Sequence, residues 1–122
     1  MARILVVDDS PTEMFRFKEI LNKNGYTVLE ATNGADGVTV AQAEQPDLVL
    51  MDVVMSGVNG FQATRQIARG EKTKHIPIVI VSTKDQATDR VWGKRQGASD
   101  YLTKPVDENK LIEVIRQYIN AG

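Results

Sequence analysis

Short apolar runs recur along this chain and alternate with stretches in which apolar residues follow helical spacing. The most continuous runs are Ile4-Leu5-Val6-Val7, Leu48-Val49-Leu50-Met51 and Ile78-Val79-Ile80-Val81, and shorter ones lie at 27–31 and 100–103. Runs rich in Val, Ile and Leu are typical of strands that are buried on both faces, as in a parallel sheet covered by helices. The pattern therefore predicts five strands, the third ending at Asp52.

Five helices are predicted between and after these strands. The first begins with Ser10 as N-cap and Pro11 at the first helical position, and Glu13 is expected to close a capping box. The next three are predicted over 34–44, from 60 to about 69, and over 85–96, where Gly97 follows as a stop. Asp107 is expected to cap the last helix, whose apolar stripe is Leu111, Ile115, Tyr118 and Ile119.

The order of elements is (βα)5, which predicts an α/β three-layer sandwich. Right-handed crossovers leave few topologies for such a chain, and we expect the doubly wound, flavodoxin-like parallel sheet with strand order 2-1-3-4-5. The five units account for residues 1–122, and the sequence shows no linker, repeat or low-complexity tract. We therefore expect a single domain without a separate effector domain.

Composition narrows the range of functions. A net charge of −1 offers no electrostatic basis for nucleic-acid binding as the main activity. The chain has no Cys and a single His, His75, which excludes disulfides, thiolate chemistry and multi-His metal sites. No apolar run approaches the roughly 20 residues that span a bilayer, and the first one is too short for a signal peptide. We expect a cytoplasmic protein with no membrane insertion.

Polar residues follow four of the predicted strands at the point where each strand ends. They are Asp8-Asp9, Asp52, Ser82-Thr83 and Lys104-Pro105. Ligands of open parallel sheets bind beyond the carboxyl ends of the strands, so these side chains are expected to share one rim. Carboxylates that crowd together repel one another unless a cation intervenes, and Mg²⁺ is a hard ion that suits them.

The same rim has the groups that a phosphoryl transfer requires. Asp52 stands alone on the central strand and is the best candidate for a nucleophile, which would form an acyl phosphate. Mg²⁺ and the ammonium of Lys104 are expected to neutralise the phosphoryl charge, and Ser82 to donate a hydrogen bond to a phosphoryl oxygen. Taken singly, an acidic residue or a Lys-Pro pair after a strand is more typical of a helix cap or a solvated turn than of a functional site.

Over its full length the sequence resembles the receiver (CheY-like) domain of bacterial two-component response regulators. The matching segments are Ile4 to Ser10, Asp52 to Met55 with Gly60, Val81 to Thr83, Gly97-Ala98, and Asp100 to Pro105. The resemblance implies that a histidine kinase phosphorylates Asp52. It also implies that Asp9, Asp52 and the backbone carbonyl of Val54 hold Mg²⁺, with Asp8 assisting through water.

The resemblance has further implications for the output of the protein. It implies that Ser82 and Tyr101 couple phosphorylation to a face formed by the fourth helix, the fifth strand and the fifth helix. It also implies a cis peptide bond between Lys104 and Pro105. Helical spacing predicts a partner face made of Ala87, Arg90, Lys94 and Tyr101, together with the exposed side of the last helix near Val114 and Gln117. A merely solvated face is the alternative.

Three further segments resemble the PilH-type regulators of the chemotaxis-like pathway that controls type IV pili and twitching motility. They are Asp9 to Met14, Gly60 to Gln66 and Trp92 to Ala98. This similarity implies a CheA-like kinase as phosphodonor and a downstream protein partner. One departure is Ser56, where the family usually has Pro; freeing the backbone there costs roughly 0.4–1 kcal/mol. Thr83 is also bulkier than the Ala often found there and is expected to narrow access to Asp52.

We expect the protein to be a monomer. Four functions remain open at this stage. They are a phosphorylation switch that binds proteins, a phosphorelay intermediate or phosphate sink, an aspartate-nucleophile phosphatase, and an FMN protein. The phosphatase is disfavoured because Val54 stands where that class has a second Asp, and the acidic rim would repel the phosphate of FMN. A DNA-binding output is disfavoured because no residues remain for it.

Overall fold

The computed structural model describes residues 2–55 and 59–119, which form five strands and five helices in strict alternation. Ser56 lies outside the described residues, and so the consequence of its departure from Pro stays a prediction. The elements are β1 (Arg3–Val7), α1 (Pro11–Lys23), β2 (Thr27–Ala31), α2 (Gly34–Glu44), β3 (Leu48–Met51), α3 (Gly60–Arg69), β4 (Ile78–Ser82), α4 (Ala87–Arg95), β5 (Asp100–Thr103) and α5 (Glu108–Ile119).

The five strands form one parallel sheet in the order β2-β1-β3-β4-β5, which confirms the predicted topology. Successive side chains of a strand point to opposite faces. Ile4 and Val6 accordingly join the hydrophobic cluster that includes α1 and α5, whereas Leu5 and Val7 join the cluster on the side of α2 and α3. The apolar runs are therefore buried on both faces of the sheet, as predicted.

At the start of α1 the structure confirms the predicted N-cap but not the predicted capping box. Ser10 is the N-cap, and its Oγ accepts a hydrogen bond from the Glu13 N–H at 3.3 Å. The predicted capping box is wrong, because the Ser10 N–H donates to Asp8 Oδ1 at 2.9 Å instead. The Glu13 carboxylate points toward Lys104, at 3.4 Å from its Nζ. A tertiary ion pair has thus replaced the local contact that the sequence motif predicts.

The ends of the last two helices follow the sequence signals with small shifts. α4 runs over nine residues rather than the predicted twelve, and at its start the Gln86 N–H donates to Asp89 Oδ2 at 3.2 Å. Gly97 follows at φ +110°, a left-handed conformation that favours glycine. Asp107 caps α5 as predicted, because its Oδ2 accepts a hydrogen bond from the Lys110 N–H at 3.1 Å.

Two residues of the predicted partner face are buried. Tyr101 is only 3% exposed, because its side chain belongs to the hydrophobic cluster on the side of α2 and α3, and so it lies beneath this face. Val114 is buried, with only 3% of its surface exposed, although we predicted that it lies on the exposed side of α5. It follows Leu111 by three positions and precedes Tyr118 by four, so helical spacing puts it on their buried stripe. Gln117 is exposed, as predicted. Within residues 2–55 and 59–119, no helix is long and apolar enough to cross a bilayer.

Candidate metal and phosphoryl site

The carboxyl ends of β1 and β3 bring three carboxylates together. The two strands are neighbours, and their hydrogen bonding continues past β3, where the Asp52 N–H donates to the Val7 carbonyl at 3.0 Å. This alignment places Asp52 beside Asp8 and Asp9, and each of the three offers an oxygen within 4.8 Å of the others. Asp8 and Asp52 are buried and Asp9 is exposed, so the cluster opens to solvent on one side.

Lys104 completes the cluster from the end of β5. Its side chain is 9% exposed, and its Nζ donates a hydrogen bond to Asp8 Oδ2 at 2.7 Å. The same ammonium lies 3.5 Å from Asp52 Oδ2. The Lys104-Pro105 peptide bond that follows is cis, as expected. The structure therefore brings the acidic residues and the lysine to one rim.

Burial and the neighbouring charges have opposing effects on the pKa of Asp52. Burial raises the pKa of the Asp52 carboxyl above its ordinary value, and the negative charge of Asp8 adds to the rise. The hydrogen bond from the Val54 N–H, at 3.1 Å, and the charge of Lys104 lower this pKa but do not cancel the rise. Asp52 is thus a more basic carboxylate than a solvated one.

The pKa of Lys104 is also raised, but here the cause is the neighbouring carboxylates and not burial. Burial alone lowers the pKa of Lys104, but the hydrogen bond to Asp8 and the charges of Asp52, Asp8 and Glu13 outweigh it. The net effect raises the pKa above its ordinary value, so the group stays a cation.

The donor chemistry of the rim fits a divalent hard cation. Lys104 pairs with Asp8, Glu13 and Asp52, and Asp9 lies beside Asp8 and Asp52. Among these five residues there are four carboxylates and one ammonium, which leaves an excess of negative charge. Oxygen ligands of this kind are those that Mg²⁺ takes, usually with one or two carboxylates and several waters. Asp9 and Asp52, with the Val54 carbonyl predicted as a further ligand, would hold the ion, which would supply charge neutralisation.

Ser82 and Tyr101 are linked through the backbone of one residue that the sequence did not point to. Ser82 is buried at the end of β4, and its Oγ accepts a hydrogen bond from the Lys84 N–H at 3.2 Å. The hydroxyl of Tyr101, also buried, donates to the Lys84 carbonyl oxygen. A motif search misses Lys84 because only its main chain takes part.

The predicted partner face on α4 is partly engaged within the protein. Ala87, Arg90 and Lys94 are exposed and share one stripe, and the Arg90 guanidinium contacts Tyr101, as the spacing predicts. Val91 and Trp92 are also about half exposed. These residues form a surface that is both apolar and basic.

Comparison with known proteins agrees with this geometry. The profile of the family described as "Response regulator receiver domain" matches residues 4–116. The chain belongs to this family. The PilH protein of Pseudomonas aeruginosa is 64% identical to this receiver domain over 115 residues, which cover 94% of this chain and 95% of PilH. The response regulator PleD of Caulobacter vibrioides is 38% identical over 115 residues, 94% of this chain but only 25% of PleD.

Solved receiver domains have the same architecture. The receiver domain of the Pseudomonas aeruginosa sensor histidine kinase PA1611, whose structure holds a magnesium ion in the active-site cleft, aligns with a TM-score of 0.92 at 28% identity, covering 98% of each chain. Vibrio cholerae CheY4 aligns with a TM-score of 0.91 at 28% identity, covering 97% of this chain and 98% of its own. The predicted family and CheY-like fold are thus confirmed: the chain is a response regulator receiver domain, related to PilH.

Proposed function

We propose that this receiver domain is a phosphorylation switch that accepts a phosphoryl group on Asp52 from the phosphohistidine of a CheA-like histidine kinase, with Mg²⁺ bound at the rim. The observation that carries the proposal is the position of Asp52, within 4.8 Å of two other carboxylates and 3.5 Å from the Lys104 ammonium. A carboxylate held between a cation site and a lysine suits attack on an anionic phosphorus centre.

The chemistry of the transfer is a displacement at phosphorus. A carboxylate oxygen of Asp52 forms the new O–P bond while the P–N bond of the phosphohistidine breaks, and the imidazole keeps the electron pair of that bond. The Val54 N–H and the Lys104 ammonium hold the two Asp52 oxygens, which fixes the orientation of the carboxylate. Lys104 also offsets the charge that the phosphoryl group brings.

The output follows from Ser82. Its hydroxyl would donate to a phosphoryl oxygen while its Oγ accepts from the Lys84 N–H, and a hydrogen bond to a charged group contributes roughly 1.5–3 kcal/mol. Movement of the Ser82–Lys84 segment would reach Tyr101 through the Lys84 carbonyl. Phosphorylation would thereby shift a population between two arrangements of the α4-β5-α5 face, where we place the downstream protein partner.

The relation to PilH supports a role in a chemotaxis-like pathway, with type IV pilus twitching motility as the process controlled. We propose that the receiver surface itself provides the output. The predicted monomeric state and cytoplasmic location stay predictions. A phosphate sink uses the same Asp52 chemistry but needs no partner face, so partner binding separates the two functions.

The decisive experiment is transfer from a phosphorylated CheA-like kinase to the purified protein in Mg²⁺, followed by intact-mass and peptide analysis. We expect a single phosphoryl group on Asp52 and loss of transfer in EDTA. A pull-down with the phosphorylated and unphosphorylated forms then follows. Partner capture that depends on phosphorylation supports the switch, whereas transfer without any such capture favours the sink. Label on a residue other than Asp52 contradicts the proposal.

A further inference from the structure

Glu13 lies beside the rim site although it belongs to the first turn of α1. Its Oε1 is 3.4 Å from the Lys104 Nζ, and Asp52 Oδ2 lies 3.5 Å from the same nitrogen. The Glu13 side chain is 27% exposed, whereas that of Asp8, the third carboxylate around this ammonium, is 2% exposed. Lys104 is therefore shared between the acceptor carboxylate and a residue outside the metal cluster.

We propose that Glu13 is a positioning residue that draws the Lys104 ammonium toward α1 in the unphosphorylated protein and so slows phosphorylation of Asp52. The inference rests on the proposed function, because Lys104 has this task only if a phosphoryl group arrives. An ammonium has three N–H donors, so Lys104 needs to loosen one carboxylate contact before it can turn to a phosphoryl oxygen. Glu13 is the carboxylate that water can replace most easily, since it is the most exposed of the three.

A second contact joins α1 to the segment that contains Lys104. One turn after Glu13, Arg16 donates from Nη2 to the Val106 carbonyl oxygen at 2.6 Å. Two residues of α1 thus contact the segment that follows β5, one at Lys104 and the other at Val106. The spacing of three positions puts Glu13 and Arg16 on one face of the helix. The Arg16 contact thus ties α1 to the segment that contains Lys104.

The negative charge of Glu13 should slow phosphorylation as well, in addition to its contact with Lys104. Phosphoryl donors are anions, and Glu13 adds one more negative charge to a rim that already has three carboxylates. Replacing Glu13 by a neutral residue both frees Lys104 and weakens the repulsion of the donor. Both effects predict faster phosphorylation.

The test compares three variants in Mg²⁺ with acetyl phosphate as donor. Glu13→Gln removes the charge but keeps a side chain suited to the first turn of a helix. Glu13→Asp keeps the charge but withdraws it from Lys104 by one methylene. Glu19→Gln is the matched control, since it removes a charge from an exposed position of the same helix.

We expect Glu13→Gln to speed the phosphorylation of Asp52 by about two- to fivefold, because a partly exposed ion pair contributes up to about 1 kcal/mol and a factor of ten corresponds to 1.4 kcal/mol. Glu13→Asp should be faster than the parent protein, and Glu19→Gln should not. If Glu13→Asp keeps the parental rate, the field of the charge and not the contact with Lys104 matters, and the inference is overturned. In a Lys104→Ala background, Glu13→Gln should accelerate phosphorylation less than it does in the parent protein, because only the weaker repulsion of the donor remains.

NMR spectroscopy tests the contact between Glu13 and Lys104 in the unphosphorylated protein. The ¹⁵N resonance of the Lys104 ammonium, recorded without donor, should move in Glu13→Gln and Glu13→Asp but stay in place in Glu19→Gln. An unmoved resonance in both Glu13 variants contradicts the inference. A parent protein that takes no label contradicts the proposed function, whereas equal labelling rates of the parent and Glu13→Gln contradict only the role of Glu13.

Discussion

The guanidinium of Arg90 lies over the ring of Tyr101, with 5.2 Å between its central carbon and the ring centre. The same guanidinium donates to the Tyr101 carbonyl oxygen at 3.2 Å and to Thr103 Oγ1 at 2.6 Å. Arg90 is thus not merely a solvated charge on α4, because it ties the helix to β5 at the residue expected to act in switching. Substitutions of Arg90 will affect both the surface and the position of Tyr101.

This network predicts a difference in stability between two neighbours on α4. Arg90→Ala should lower the free energy of unfolding by about 1–2 kcal/mol, from the loss of a cation–π contact and two hydrogen bonds. Lys94→Ala, at an exposed position of the same stripe, should stay within about 0.5 kcal/mol of the parent. Urea unfolding followed by circular dichroism measures both. Equal losses in the two variants would show that the Arg90 contacts contribute nothing.

The acceptor is tested by Asp52→Asn, which should abolish labelling by acetyl phosphate while the fold is kept. The amide is nearly isosteric with the carboxylate but is not a nucleophile. Asp47→Asn is the matched control, because Asp47 precedes β3 at the opposite end of the strand that leads to Asp52. We expect the control to be labelled at the parental rate. Undiminished aspartyl labelling of Asp52→Asn would overturn the assignment.

Metal binding is tested by calorimetry with Mg²⁺. Asp9→Ala should weaken binding sharply, because it removes an exposed oxygen ligand from a cluster of three carboxylates. Without Mg²⁺ the same variant should be at least as stable as the parent, since the repulsion between Asp9 and its neighbours is relieved. The order should reverse at saturating Mg²⁺, which stabilises only a protein that binds it. Parental affinity in Asp9→Ala would show that Asp9 is not a ligand.

The start of α3 approaches the acceptor strand so closely that Gly60 admits no side chain. A Cβ at this position would lie 2.0 Å from the Asp52 carbonyl oxygen and 2.5 Å from Val53 Cα, and backbone atoms cannot move aside cheaply. Gly60→Ala should therefore cost about 3 kcal/mol or more and slow labelling of Asp52 by displacing it. At Gly37 the atoms nearest to a Cβ would be those of the Val7 side chain, from 2.9 Å. A smaller loss is expected for Gly37→Ala, and denaturant unfolding gives both values.

The raised pKa of Tyr101 predicts that the free energy of unfolding falls as the pH becomes alkaline. Burial, reinforced by the charge of Asp89, raises the pKa of its hydroxyl above the ordinary 10.0. The folded protein then holds this proton more tightly than the unfolded chain does. The stability that results is complete below the unfolded pKa and is lost as pH rises through the folded one.

The measurement is a pH titration of the tyrosine ring carbons by NMR, with Tyr101→Phe identifying the signal. We expect Tyr101 to titrate above 10.0. Asp89→Asn keeps an oxygen for the start of α4 but removes the charge, so the pKa should fall in that variant. A Tyr101 that titrates at or below the ordinary value would mean that its hydroxyl is not buried as described.

The sequence by itself determined the elements, their order and the edge at which the polar residues meet. A continuous apolar run is a local property, and it locates β1, β3 and β4 because each is buried on both faces. Caps such as Ser10 and Asp107 act within three residues of themselves, so they too can be read from the chain. Once the sheet is parallel, Asp52 and Lys104 lie at the same rim whatever the helices do.

Only the tertiary structure decided which of these side chains contact one another. Glu13 satisfies a local capping motif in the sequence, yet it pairs with Lys104, because the packing of α1 brings that ammonium within 3.4 Å. The hydrogen bond between Lys104 and Asp8 joins residues 96 positions apart, which no local pattern encodes. The link from Ser82 to Tyr101 runs through main-chain atoms of Lys84, and these are the same for any residue type. Such contacts depend on distances between packed elements, and those exist only once the chain has folded.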